Sequence, residues 1–106
     1  MLMCTSELIP GKNYEVLGAV RGSVVRAKHI GKDILAGFKS IVGGEVTVYT
    51  ELLEEARHIA TRRMEDEANA MGADAIEALR YVTAAVMDGA SEVMVYGTAV
   101  KFTQGN

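Results

Sequence analysis

Apolar residues recur along this chain at two different periods, and each change of period marks an element. Over residues 14–27 the period is two, with Val16, Gly18, Val20, Gly22 and Val24 on one face and Leu17, Ala19, Arg21, Ser23 and Val25 on the other. That pattern predicts a long β-strand. Gly18 and Gly22 either thin their face for close approach by another element or mark a bulge. Ile34, Leu35, Phe38, Ile41 and Val42 then follow helical spacing, which predicts a short helix ended by Gly43. From about Thr47 to Met71, Leu52, Leu53, Ala56, Ile59, Ala60, Met64 and Ala68 recur every three or four residues, with charged residues between them. This predicts a helix of roughly 37 Å that carries one apolar stripe, with Gly72 placed just past its end. Period two returns over residues 75–86 and 92–102, and the Asp88-Gly89 pair between them predicts a hairpin. Residues 2–5 read as a short edge strand, and the last four residues form a polar end.

The expected fold is therefore α+β, one domain over residues 1–106, with three main strands and one short and one long helix in the order β-α-α-β-β. The long helix is its packing spine. It covers one face of the sheet, yet both faces of all three strands carry apolar residues: Val82 and Ile76 against Tyr81 and Leu79, and Val95 against Tyr96 and Met94. The uncovered face predicts self-association, since monomers rarely expose large contiguous apolar patches.

Charge narrows the partners. With 11 Lys+Arg against 14 Asp+Glu the net charge is -3, which provides no basic footprint for nucleic acid. No apolar run approaches the roughly 20 residues of a membrane span, and no signal-peptide pattern stands at the N-terminus. One cysteine, Cys4, forms no internal disulfide and suits a reducing compartment. The sequence reads as cytoplasmic, with neither membrane nor nucleic-acid partner.

Candidate chemistry is sparse. Cys4 with Met1 and Met3 makes a soft cluster able to hold a thiophilic ion, or simply an edge strand's side chains. His29 and His58 stand apart, and Glu54 is spaced to form a surface pair with His58. No CxxC, HExxH or acidic calcium loop occurs. Neither a stoichiometric metal nor a cofactor is expected. Gly43-Gly44 ahead of a helix offers amide groups to an anion, or else a tight corner between helices. Arg57, Arg63, Arg80 and Asp74 are expected to be partly buried, as salt bridges, contacts between subunits or ligand contacts. Asp74 and Glu77 are the carboxylates near a strand end, and neither completes a set of nucleophile, base and orienter. The chain is not expected to be an enzyme.

Five ordered blocks carry a resemblance: Ile41-Val42-Gly43-Gly44; Tyr49 with Ala56-Arg57; Gly72-Ala73-Asp74-Ala75-Ile76; Arg80-Tyr81; and Tyr96-Gly97-Thr98-Ala99-Val100. Together, over about residues 17–101, they resemble the YbjQ-like family, small bacterial and archaeal proteins sometimes labelled heavy-metal-binding and without an assigned reaction. The resemblance implies an α+β subunit that assembles into a ring, a pentamer. Val82 departs from the family's pattern, which has an aspartate there, and residues 45–48 depart from its Arg-Ser-Gly-Ala; the missing carboxylate weakens a metal role. The functional expectation is a ring-forming homo-oligomer holding a small anionic ligand or a metal at subunit interfaces through Gly43, Gly44, Tyr49, Arg57, Arg80 and Thr98. A structural or partner-binding oligomer with no ligand is the alternative.

Overall fold

The computed structural model describes residues 1–27 and 47–104. They form β1 (Leu2–Met3), β2 (Asn13–Ala27), α1 (Thr47–Ala70), β3 (Ala75–Met87) and β4 (Ala90–Thr103). The strands make one mixed sheet in the order β1-β3-β4-β2, with β1 parallel to β3 and the other two pairings antiparallel. The order among the described residues is thus β-β-α-β-β. The short edge strand expected at residues 2–5 is β1, Leu2–Met3, and it joins the three main strands as a fourth. The short helix expected at residues 34–42 lies outside the described residues.

Local chemistry explains the boundaries. Helix α1 stops in a Schellman motif: Ala73 N–H donates to the Ala68 carbonyl at 3.0 Å and Gly72 N–H to Asn69 at 3.0 Å. Gly72 takes φ 79°, a conformation that costs glycine little. Asp88-Gly89 joins β3 to β4 with Met87 opposite Ala90, and Gly89 takes φ 81°.

Packing rests on small residues. Ala56, Ala60, Met64 and Ala68 stand four apart on α1 and are fully buried against Val20, Val93, Val95, Ala99 and Ile76. The short side chains let the helix backbone approach the sheet so closely that Gly22 has no room for more. A Cβ there would run into the Ala60 carbonyl and lie 2.5 Å from the Met64 nitrogen. Beside this contact α1 also closes the outer edge of β2, since Arg63 Nη1 donates to the Ser23 carbonyl at 2.6 Å and Arg21 N–H donates to Glu67 at 3.1 Å.

Three register shifts break the expected alternation, one of them between Ala85 and Met87 near the end of β3. The register of β2 on β4 slips between Val16 and Gly18, leaving Leu17 as the extra residue packed against the core and Val16 exposed. Gly18 at that bulge has φ 146°. The two readings of these glycines therefore divide, the bulge falling to Gly18 and the close approach to Gly22. In β3 the register slips between Glu77 and Arg80. Here Ile76 and Leu79 both reach the core, so the expected grouping of Ile76, Ala78, Arg80 and Val82 on one face fails after Glu77.

Candidate functional site

The β3 bulge builds the most chemically distinctive site. Past β1 the N-terminal segment continues beside β3: Cys4 N–H donates to the Ile76 carbonyl at 2.9 Å, Ala78 N–H to Ser6 at 2.9 Å and Leu79 N–H to Cys4 at 3.0 Å. Ala78, the one described non-glycine residue with positive φ, sits at 55°. A residue with a Cβ in that region is strained, and the surrounding hydrogen bonds hold it there. The distortion leaves Glu77 on the side of the sheet away from α1, opposite Thr98 of β4.

Glu77 is the buried charged residue of the described structure, at 7% exposure. Tyr14 at the start of β2 donates its hydroxyl to Glu77 Oε2 at 2.8 Å. That bond, joined by burial, raises the Tyr14 phenol above its usual value of 10.0. Ile9, Ala75 and Val100 close the cluster, with half-buried Cys4, Tyr14 and Phe102 around them, and the Lys12 ammonium stands 5.2 Å from the centre of the Phe102 ring. The Cys4 thiol is free and lies 3.4 Å from Ser6 Oγ. A carboxylate, a phenol and a thiol thus gather at one end of the sheet. The trio can exchange or retain a proton and accept a hydrogen bond; it contains no nucleophile with both a base and an orienter. Among the described residues no three His, Cys, Asp or Glu side chains group as a metal site.

The residues singled out from sequence are dispersed by comparison. Gly43, Gly44 and His29 lie outside the described residues, and Tyr49 belongs to the first turn of α1. Arg57, half-buried on α1, binds Glu54 at 3.2 Å, so Glu54 pairs three residues on with Arg57 in place of the expected partner His58, which is exposed. Arg80 is exposed on β3 and donates to the Thr5 carbonyl at 2.9 Å and to that of Leu79 at 2.8 Å. Thr98 is half-buried beside Glu77. Arg80 and Thr98 share the face away from α1, whereas Arg57 stands on the helix across the sheet. Arg63, Arg80 and Asp74, expected to be partly buried, are exposed; Asp74 accepts the Phe102 N–H at 2.8 Å. Sequence reading weighed Cys4 and Glu77 separately and missed their meeting with Tyr14. The one local signal was a glutamate inside the apolar run of residues 75–79.

A family model described as "Putative heavy-metal-binding", the YbjQ model, matches residues 1–103. The chain is 57% identical over 102 residues to a UPF0145 protein of Psychromonas ingrahamii, covering 95% of this chain and 97% of that one. It is 54% identical over 102 residues to a UPF0145 protein of Thermus thermophilus, covering 95% and 90%. A crystal structure of a protein of unknown function of the DUF74 family from Pediococcus pentosaceus is similar at TM-score 0.68 and 16% identity, covering 97% of this chain and 98% of that one. At that identity the likeness shows the fold alone.

Proposed function

The chain belongs to the YbjQ family, and from that premise we propose that it acts as a ring-forming homo-oligomer of five copies that holds a small anionic ligand or a metal ion where subunits meet. The observation that supports this is a division on the sheet face opposite α1. At one end Ile9, Ala75 and Val100 are covered by the N-terminal segment. At the other, Val82, Tyr96 and Val25 stand 40%, 42% and 55% exposed, with Met94 among them by cross-strand register. Arg21, Arg80 and Glu92 rim that patch. An apolar centre within a charged rim is the composition of an interface.

Arg80 and Thr98 lie on this same face, so a junction formed there brings them to a neighbouring copy. Arg57, on the other side of the sheet, joins them only from that neighbour. For a metal, the donors this chain brings nearest are the Cys4 thiolate and the Glu77 carboxylate, a mixed soft and hard pair that leaves further ligands to another copy. A ligand-free structural oligomer is the second reading, since the apolar patch within its charged rim needs only another copy to bury it.

Native mass spectrometry with elemental analysis, on protein purified without added metal, tests the reading. A retained small anion or an ion held in fixed ratio to the ring supports it. Bare oligomers favour the structural alternative, and bare monomers overturn both.

A further inference from the structure

Residues 4–12 cross the sheet from edge to edge. They leave β1 on one side and enter β2 on the other, since the strand order is β1-β3-β4-β2, and Ile9 lies against Ala75 and Val100 on the face away from α1. Along β3 the backbone holds them: Cys4 N–H donates to the Ile76 carbonyl, Ala78 N–H to Ser6 and Leu79 N–H to Cys4, and Arg80 Nη1 reaches the Thr5 carbonyl at 2.9 Å. Side chains hold them less. Ile9 is the one buried residue of the nine, and Leu8 stands 71% exposed. A segment with so little buried apolar surface belongs to the low end of local stability.

Beneath this strap two unfavourable features sit side by side. Ala78 is at φ 55°, where a residue with a Cβ is strained. Glu77 keeps a carboxylate at 7% exposure, and burial disfavours charge. The contacts that hold the strap are the ones that fix both: its Ser6 and Cys4 carbonyls take the Ala78 and Leu79 amides, and the register of β3 slips at the same residues, between Glu77 and Arg80. We propose that residues 4–12 open and close as a unit over Glu77 while α1 and the three long strands stay folded, with Ala78 as the spring. Ile9 and the backbone bonds favour closing. Relaxation of Ala78 to an ordinary strand conformation and hydration of the carboxylate favour opening. The closed strap commits Glu77 to Tyr14, and the open one frees it for solutes. The device lies within one copy, at the covered end of the sheet face, apart from Val82, Tyr96 and Val25.

Amide hydrogen exchange tests it, since the Cys4 and Leu79 N–H groups are released when the strap leaves β3. In the unmodified protein both are expected to exchange faster than amides in the middle of β4, such as that of Val95, and with little dependence on added denaturant, as a local opening does. Ala78→Gly keeps the kink and removes its strain, so it is expected to slow exchange at both amides about five- to thirtyfold. Ala78→Val puts a β-branched side chain where the left-handed region excludes it. That variant is expected to leave both amides close to unprotected while β4 stays protected and the helical circular dichroism is retained. Exchange of Cys4 and Leu79 at the rate of β4, with the same denaturant dependence, overturns the proposal. Unchanged exchange in Ala78→Gly or Ala78→Val overturns it as well. Loss of β4 protection in Ala78→Val also does, because the kink then belongs to the core and not to a separate strap. Exchange at these amides reads the strap within one copy, while the mass of the protein reads the ring, so either can fail without the other.

Discussion

Two residues show how much single positions decide. The space a Cβ would take at Gly22 is filled by α1, by the Ala60 carbonyl and the Met64 nitrogen, with Arg63 Cβ 3.0 Å away. Neighbouring backbone cannot rotate aside as a side chain can. Gly22→Ala is therefore expected to lower stability by roughly 1–3 kcal/mol or more, read as a shifted denaturant midpoint at unchanged slope; an unchanged midpoint contradicts the close approach. The second residue is Tyr14. Its phenol is raised because the neutral form donates to Glu77, so the native state keeps this proton to higher pH than the unfolded chain does. The stability it contributes is complete below the unfolded phenol value, about 10, and is lost as pH rises through the higher native one. Phenolate absorbance of the protein against Tyr14→Phe is expected to show Tyr14 ionising above the ordinary value, and Glu77→Gln to bring it back down. Ionisation of Tyr14 at or below the ordinary value contradicts the bond.

At the scale of elements, the long helix and the hairpin were legible because each carries a local signature. Met64 falls on the stripe at helical spacing and is fully buried. Met64→Asp is expected to unfold the domain, since an unpaired carboxylate there costs several kcal/mol; a native circular dichroism spectrum and melting temperature would contradict the packing. Gly89→Ala forces a Cβ into the left-handed turn and is expected to cost about 1 kcal/mol, measurable as a few degrees in Tm. The bulges at Leu17 and Ala78 were not legible, although Gly18 hinted at the first. Period-two reading assumes an unbroken ladder, and a bulge depends on what the neighbouring strand and segment supply. Glu77 shows the consequence: its burial rests on Tyr14, 63 residues away in the chain, and on the N-terminal segment. Arg80, expected to be partly buried because it interrupts an apolar strand face, is exposed, as is Asp74.

At the scale of the molecule, the chain presents an elongated body, 63 × 25 × 17 Å. No helix among the described residues is long and apolar enough to cross a membrane. The covered and uncovered parts of the sheet follow from one fact: α1 lies chiefly over β2 and β4 and meets β3 beyond Leu79 at Tyr81, whose hydroxyl is 2.8 Å from that of Thr61, so Val82 to Met87 and the opposite face around Tyr96 stand exposed. Sequence alternation gave the two-sided apolar pattern, while the five-fold count rests on family resemblance. Association is thus the claim that joins sequence to function. Light scattering after size exclusion at micromolar concentration tests it most directly. Five copies of 11.4 kDa make about 57 kDa, and that mass is the expected result; elution at 11.4 kDa would contradict the account.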